Sequence, residues 1–357
     1  MANVIKTLSS EHEVSLIYPG GKDESIPGFV KNALRIEKQG SRRNIYSPKP
    51  KLGSDLLEAS ERIIERFLAQ ENPDFVYWSH SYLPAAIPKI FEKYLDRNVV
   101  EFANIEAKRF WSTSKTAKSK MKIKLALEAL KARFWEPRVA RQAALCVALS
   151  EQDSVELKRL GARVVEAANG VAFTPLDLVA DGYLLIFASM NYQPNFEATM
   201  NFVNHDWPVI SHYLPELKLV IAGRSAENLT LAASTHIEII SDPQSQDEIY
   251  RGALATVIPT ATGGGSQLKI TESLQRGRIC LLSEYSLKTA PSELINFLVP
   301  YVFASPQQLS TLIQSLQTPE ATRNLEHEIS AAVAKLSWQE TLGKLLQELR
   351  IGPNENL

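Results

Sequence analysis

The sequence predicts an α/β protein with two domains, each built on a parallel sheet that helices cover on both faces. Short apolar runs typical of buried strands alternate with helical segments along most of the chain. The length of 357 residues suits about two globular domains, since 45% of the residues are hydrophobic and 22% are charged. Charge is unevenly divided: residues 1–168 carry 28 basic and 21 acidic side chains, and the remainder carries 11 and 19. This asymmetry indicates domains with different partners.

The first half is predicted to begin with a helix over 3–10 and a strand over 13–18. Residues 22–52 are polar and contain three prolines, so we expect irregular chain there, with one short helix over 28–37. Apolar residues at helical spacing predict helices over 56–70, 82–94 and 116–144, with kinks at Pro88 and Pro137. Further strands are predicted at 74–78, 98–102, 145–150 and 163–168. Ser150 is expected to cap the helix that follows the third of them.

The second half shows the same alternation more clearly. Strands are predicted at 183–188, 217–222, 237–240, 255–259 and 279–282. A helix is expected to begin near Pro194, since proline suits the first turn. The boundary between the domains is predicted at residues 168–180, which gives domains of 1–168 and 169–357. The last helix, over 338–349, is amphipathic and is expected to pack back across the join.

Composition excludes several classes of protein. No run of 18 apolar residues predicts a membrane span, and residues 1–6 lack a signal-peptide pattern. Cys146 and Cys280 both lie in apolar runs, so we expect buried thiols in a reducing compartment. The six histidines show no metal-ligand spacing, which argues against a zinc site. A cytoplasmic protein is therefore expected.

The most informative stretch is a glycine-rich turn, Gly263–Gly265, between an apolar strand and a helix that begins at Leu268. Strand, glycine turn and helix start together direct backbone N–H groups towards an anion, and glycine lets a phosphate or a sugar approach the backbone. Lys269 and Glu272 lie three residues apart on one helix face, where they can meet a diphosphate and the hydroxyls of a ribose. The alternative is a flexible loop before a surface helix with an ordinary ion pair.

Several other polar residues follow predicted strands. Ligands of parallel sheets bind at the carboxyl ends of the strands, which places Arg224 and the turn Ser189–Asn191 at the same rim as the glycines. An ordinary charged residue after a strand remains the alternative for Arg224. In the first half, His80 and the pair Asn104 and Glu106 follow strands in the same way. For these, a hydrogen-bonded rim histidine and simple turn capping remain the alternatives.

The sequence resembles the retaining glycosyltransferases of family 4, which have the GT-B fold and serve exopolysaccharide and cell-surface glycan synthesis. The segments that carry the resemblance are Asn169–Val171, Ser189–Asn195, Leu219–Arg224 and Gly263–Glu272, with Ser79–Ser81, Asn104–Glu106 and Ser150–Asp153 matching more loosely. The resemblance implies two Rossmann-like domains that face each other across a cleft. It also implies transfer of a sugar from a nucleotide-diphosphate donor to a glycan, lipid-linked or small-molecule acceptor, with retained anomeric configuration.

The resemblance also implies roles for individual residues. Arg224 and Lys269 would stabilise the leaving diphosphate, with His80 as a third catalytic residue. The donor would be held by Gly263, Gly264, Gly265, Ser266, Leu268, Glu272 and Asn191. Asn104 and Glu106 would lie on the acceptor side, with acceptor loops over 19–52 and 103–118. The sequence lacks an Asp-x-Asp motif, so we expect a site without metal, and no cofactor besides the donor substrate.

Two departures from the family pattern leave rival interpretations open. Many relatives carry a glutamate where this sequence has Gly264, and relatives usually begin with a strand and a glycine-rich loop that we expect this chain to lack. The missing first strand would favour a non-catalytic partner or scaffold protein of the same fold. A second rival is a nucleotide-sugar epimerase, for which His80 and Glu106 are the candidate acid–base pair.

A basic segment stands apart from the site residues. Five lysines, with no acidic residue among them, lie between Lys115 and Lys124, and Phe134 and Trp135 follow. One interpretation is a solvated helix face. The other is peripheral docking on an anionic membrane that holds the acceptor, on the inner face of that membrane. Nucleic acid is a poor partner, because the chain as a whole is not basic.

Overall fold

The structure is a computed structural model that describes residues 2–19, 26–36, 54–116, 119–177, 182–231, 236–261 and 268–351. These residues fall into two compact units. The first lies within Met1–Gly170 together with Trp338–Leu357, and the second lies within Val171–Ser337.

The first unit contains six strands and seven helices before the chain leaves it, counted over the described residues. In chain order they are α1 (Ala2–Leu8), β1 (Ser15–Pro19), β2 (Asn32–Ile36), α2 (Ser54–Glu71), β3 (Val76–Trp78), α3 (Tyr82–Ala86), α4 (Pro88–Lys93), β4 (Asn98–Phe102), α5 (Glu106–Thr116), α6 (Ser119–Gln142), β5 (Leu145–Ala148), α7 (Glu151–Arg159) and β6 (Val164–Glu166).

The main sheet of this unit is parallel, in the order β3-β4-β5-β6. The centre of the sheet is buried, since every residue of β4 and β5 is buried. One face packs on α2, α4 and α6 through residues such as Ile64, Phe91 and Val139. Ser150 accepts a hydrogen bond from the Asp153 N–H and caps α7, as the sequence predicts.

The predicted helix over 28–37 is wrong, because Asn32–Ile36 is strand β2, which pairs in parallel with β1. Leu34 packs on the core beside Ile17, and Ile36 is buried. The Glu71 carboxylate accepts hydrogen bonds from Ser15 Oγ at 2.6 Å and Asn32 Nδ2 at 3.0 Å, and so ties both strands to the end of α2. A strand this short depends on pairing with its neighbour for stability. The alternation of the apolar Leu34 and Ile36 was the sequence signal for a strand here.

Two further expectations for this unit need correction. Residues 106–116 form helix α5 and not an acceptor loop, because the helix packs along α6 and receives its N-terminal cap from it. The segment predicted as one kinked helix over 82–94 is divided at Ile87, where Pro88 begins α4. The acceptor-loop residues 20–25 and 37–53 lie outside the described residues.

The second unit continues the alternation. Its elements are β7 (Tyr183–Phe187), α8 (Gln193–Asn201), α9 (Trp207–Tyr213), β8 (Leu219–Gly223), β9 (Ile237–Ser241), α10 (Gln246–Arg251), β10 (Ala253–Ile258), α11 (Leu268–Gln275), β11 (Cys280–Leu282), α12 (Glu284–Lys288), α13 (Ser292–Leu298), α14 (Pro306–Leu316) and α15 (Pro319–Ala334). A π-helical turn, Phe202–Asp206, joins α8 to α9.

The sheet of the second unit is parallel throughout, in the order β11-β10-β7-β8-β9. Its central strands are continuous apolar runs, which suits a sheet that is buried on both faces. The larger core, which includes Leu184, Ile221 and Leu274, packs one face on α8, α9, α11 and α14. The smaller core on the other face centres on Tyr250.

The last helix, α16 (Trp338–Ile351), belongs to the first unit. Leu342, Leu345 and Leu349 lie on one helix face and pack on the first sheet and on α1, where Val4 and Leu8 meet them. Arg350 forms a charge-assisted pair with Glu11 at the surface.

Candidate functional site

The carboxyl edge of the second sheet is shaped by a close approach of two strand ends. Gly223, the last residue of β8, has φ +136°, and a Cβ there would overlap the carbonyl oxygen of Ala188 after β7. The Met190 N–H donates to the Arg224 carbonyl at 2.8 Å and joins the two turns. Glycine at position 223 therefore lets the turns after β7 and β8 pack side by side.

A small pocket opens at this edge. Its wall consists of the ends of β7 and β10, the first turns of α8 and the start of α11, with lining residues that include Ala188, Asn195, Thr199, Thr260 and Lys269. Thr260 is buried where the chain leaves β10, and its Oγ1 lies 2.7 Å from Ser286 Oγ. Ser283 Oγ donates to the Thr260 carbonyl at 2.5 Å, so α12 holds the exit of β10 in place.

Lys269 points into this pocket and is held by Asn195. The Lys269 ammonium donates to Asn195 Oδ1 at 2.7 Å, and Asn195 Nδ2 donates to the Ser189 carbonyl at 3.0 Å. Because the carbonyl must accept the amide N–H, the amide of Asn195 is oriented with its oxygen towards the lysine. Asn195 is buried, with 8% of its surface exposed. The side chain of Asn195, on α8, thereby joins the turn after β7 to the first turn of α11.

Burial determines the electrostatics of this pair of charged residues on α11. It lowers the pKa of Lys269 to about 8, against the attraction of the Glu272 carboxylate. Burial also raises the pKa of Glu272, and the positive charges of Arg276 and Lys269 oppose this rise. Arg276 donates to the Glu272 carbonyl at 3.0 Å, pairs with Asp247 at 2.8 Å and stacks on Tyr250. An ordinary exposed ion pair therefore does not describe Lys269 and Glu272.

The other residues predicted for the donor side are more exposed. Arg224 follows β8 directly at the carboxyl edge, and Asn191 lies in the turn after β7; both side chains are exposed. Leu268, the first residue of α11, is also exposed. Gly263, Gly264, Gly265 and Ser266 lie outside the described residues.

In the first unit, His80 follows β3 at the carboxyl edge of its sheet. Its ring stacks on Tyr82 with centroids 5.0 Å apart. Burial lowers the pKa of His80, while the charge of Glu106 opposes this shift. The histidine is therefore held towards its neutral form, in which one ring nitrogen can accept a proton.

Asn104 and Glu106 lie at the end of the next strand, β4. Glu106 is the first residue of α5, and its buried carboxylate pairs with Arg109, whose Nε donates at 2.9 Å. The backbone N–H groups of Glu106 and Ala107 donate to the Glu136 carboxylate at 2.5 and 2.9 Å. Glu136, on α6, is buried, and burial raises its pKa to about 7 against these two hydrogen bonds. Helix capping thus accounts for the backbone of Glu106, and its side chain is bound by Arg109.

Two residues of these edges were missed as functional candidates in the sequence. Asn195 was interpreted as part of a helix start, although a polar side chain directly after the first-turn Pro194 was the available signal. Glu136 gave no signal, because its partners lie 29 and 30 residues away in the chain.

Within the described ranges, no group of three or more His, Cys, Asp or Glu side chains could hold a metal ion. None of the described helices combines the length and the apolar character that a membrane crossing requires.

Comparisons with known proteins identify the fold. No family model matches the chain, and no curated protein matches its sequence. Among solved structures, sucrose-phosphate synthase from Thermosynechococcus elongatus is similar with a TM-score of 0.63 and 13% identity, over 97% of this chain and 91% of that one. WaaG, a glycosyltransferase involved in lipopolysaccharide biosynthesis, gives 0.60 and 10%, over 98% and 95%. HepE from Anabaena, in complex with UDP and glucose, gives 0.58 and 10%, over 98% and 95%.

These similarities confirm the predicted fold class, an α/β protein of the GT-B type with two Rossmann-like parallel-sheet domains. At 10–13% identity they define the fold and not the activity of this chain.

Proposed function

We propose that the protein is a glycosyltransferase that transfers a sugar from a nucleoside-diphosphate donor to an acceptor hydroxyl. The observation that carries the proposal is the half-buried ammonium of Lys269, which Asn195 holds at the carboxyl edge of the second sheet. Partial burial makes the charged form of Lys269 costly, and an anionic ligand at this edge would offset that cost. A diphosphate is such a ligand, and its negative charge grows when it leaves the sugar.

In this proposal each donor-side residue has a separate role. Lys269 and Arg224 neutralise the diphosphate, and the N–H groups at the start of α11 add to the positive field. Glu272, one helical turn from Lys269, accepts hydrogen bonds from the ribose hydroxyls when it is ionised. Asn191 and the glycine-rich segment Gly263–Ser266 complete the donor site, as the resemblance to family 4 implies.

The reaction would break the bond between the anomeric carbon and the diphosphate. The oxygen of the acceptor hydroxyl forms the new bond to that carbon, and its proton leaves with the diphosphate. Retention of the anomeric configuration is the outcome that the family resemblance implies. His80, Asn104 and Glu106 are proposed for the acceptor side, at the carboxyl edge of the first sheet, and a neutral His80 is suited to hydrogen bond a hydroxyl.

The structural comparisons support the choice of donor. HepE, which has a similar fold, binds UDP and glucose. Sucrose-phosphate synthase and WaaG are the other similar structures described above. A uridine nucleotide is therefore the first donor to test, followed by GDP and TDP.

Isothermal titration calorimetry and thermal shift with UDP, GDP, TDP and their sugars would test the proposal. The test variant is Lys269→Ala with Glu272→Ala. The matched control is Lys288→Ala with Glu284→Ala, an exposed ion pair in the same unit that lies 3.1 Å apart. We expect one nucleotide to bind the wild type and the control, and to bind the test variant at least about 100-fold more weakly, since two charged contacts are lost.

The rival interpretations predict different results. A non-catalytic scaffold of the same fold predicts that no nucleotide binds a well-folded wild type. An epimerase predicts that the nucleotide-sugar is converted without any acceptor, and that His80→Ala abolishes this conversion. Binding that is equal in the test variant and the control would refute the donor site proposed at Lys269.

A further inference from the structure

The outer face of α6 exposes large apolar side chains to water. Ile123, Leu130 and Phe134 are 64, 48 and 81% exposed. They lie seven and four residues apart, and the half-buried Leu127 lies between the first two at the same helical spacing. Residues at this spacing share one helix face. We call Ile123, Leu127, Leu130 and Phe134 the apolar stripe.

The apolar stripe is separate from the face by which α6 packs on its own unit. That inner face consists of small or buried residues such as Ala129, Ala132, Glu136 and Val139. At 100° per residue, the inner face points away from the stripe. The inner face therefore makes the contacts of α6 within its own unit. The apolar stripe is a second apolar surface of the same helix.

Cationic side chains flank the apolar stripe on both sides. They are the exposed Lys120, Lys122, Lys124 and Arg133, with the half-buried Lys131, and with Arg138, which pairs with Glu92 of α4 at 2.9 Å. The acids of α6 are not on this face: Glu128 is largely buried beside Lys131 at 2.7 Å, and Glu136 is buried as the cap of α5. Between residues 120 and 142, the described structure thus exposes cations and apolar side chains but no carboxylate.

Helix α5 also exposes an aromatic side chain and lysines. Its Trp111 is 51% exposed, Lys115 is exposed on the same short helix, and the exposed Lys108 pairs with Glu156 at 3.0 Å. Tryptophan has an apolar body and one N–H donor, which suits the boundary between lipid headgroups and acyl chains.

We infer that α5 and α6 dock on an anionic lipid surface through the apolar stripe and its flanking cations. A helix with an exposed apolar stripe between rows of Lys and Arg lies in the plane of the membrane interface, where the stripe enters the acyl boundary and the cations meet anionic headgroups. A second copy of the chain is a poorer occupant, because a two-fold contact brings like charges face to face. The anionic surface complements the net charge of this face.

Co-sedimentation of the full chain with vesicles tests this inference. The vesicles are phosphatidylcholine alone, and phosphatidylcholine with about three tenths phosphatidylglycerol, each at about 10 mM and about 500 mM salt. We expect binding to the anionic vesicles at low salt, weak binding at high salt, and little binding to the neutral vesicles. No nucleotide is present, so the result is independent of the proposed glycosyltransferase activity.

Two variants separate the charged from the apolar contribution, and each has a matched control elsewhere on the surface. Lys120→Gln, Lys122→Gln and Lys124→Gln together should weaken binding about 100-fold, since each lysine near an anionic surface contributes about fivefold. The control makes the same change at the exposed lysines Lys218, Lys288 and Lys335.

The apolar variant is Ile123→Ser with Phe134→Ser, and it should weaken binding at least about tenfold at low salt, because two side chains no longer leave water. Its control is Tyr213→Ser with Val299→Ser, which are 52 and 53% exposed in the second unit. Equal losses in test variants and controls would overturn the inference, as would no binding to anionic vesicles at low salt. Self-association that the stripe variant abolishes, without vesicle binding, would assign the surface to a second copy instead.

Discussion

Nucleotide affinity should fall as the pH rises through about 8, because Lys269 then loses its proton. The perturbation is the pH itself, applied to the wild type, to Lys269→Met and to Arg224→Gln. Lys269 is the titrating cation of the proposed donor site, since an arginine stays protonated across this range. The expected sign is tighter binding at lower pH.

The magnitude follows from the protonated fraction of Lys269. With a pKa of about 8, this fraction falls from about nine tenths at pH 7 to about one tenth at pH 9, which is a tenfold loss of affinity if the ammonium form alone binds. By the same linkage, the bound diphosphate raises the pKa of Lys269, so nucleotide binding at pH 8–9 takes up a proton.

Isothermal titration calorimetry at several pH values, each in two buffers with different ionisation enthalpies, measures both the affinity and the protons taken up. Lys269→Met should bind weakly with a flat profile, because it has no proton to lose at this site. Arg224→Gln should lower the affinity by the same factor at every pH and keep the wild-type slope. Ionisation of the nucleotide affects all three proteins alike, so the difference between the profiles isolates Lys269.

Two results would refute this reasoning. A wild-type profile that is flat between pH 7 and 9 would mean that Lys269 does not titrate in this range or does not meet the nucleotide. A slope in Lys269→Met as steep as that of the wild type would assign the titration to another group.

Three further predictions concern stability. Lys269→Met should raise the free energy of unfolding by about 1–2 kcal/mol at pH 7 without ligand, because the desolvation cost of the ammonium exceeds its hydrogen bond, and the gain should shrink as pH rises above 8. Gly223→Ala should cost about 2–4 kcal/mol through overlap with Ala188, whereas Gly343→Ala, in open space on α16, should stabilise the helix in urea denaturation. Glu136→Ala should cost about 2–3 kcal/mol by leaving two N–H groups without an acceptor. Between pH 4.5 and 7 the raised pKa of Glu136 makes wild-type stability fall with pH, and Glu136→Gln should remove that slope in thermal unfolding.

The sequence predicted the strands of both main sheets because buried parallel strands are continuous apolar runs that can be recognised locally. Cap signals were equally local, as Ser150 shows. Strand β2 was missed because its five residues depend on pairing with β1. The two strands are separated in the chain, so this contact leaves no signal within β2 itself. Helix α5 was missed because its Ser- and Thr-rich sequence has weak helix propensity, and its cap comes from Glu136 on α6.

For the candidate site, the sequence singled out Lys269, Glu272 and Arg224 from their places after strands and at a helix start. It left an exposed ion pair open as the alternative for Lys269 and Glu272. The burial that lowers the pKa of Lys269 comes from the packing of α8 and α11 at the edge of the sheet. Such packing is not encoded in the eight residues of α11 themselves.

The sequence by itself determined which residues form the sheets, where the strands end, and that cations follow those ends, because these properties depend on residues close together in the chain. The tertiary structure decided that Asn195 holds Lys269 across 74 residues, that Glu136 caps α5, and that the apolar stripe of α6 faces water. The physical reason is that burial and hydrogen-bond pairing are properties of the assembled elements, and they set both the charge state of a lysine and the exposure of a helix face.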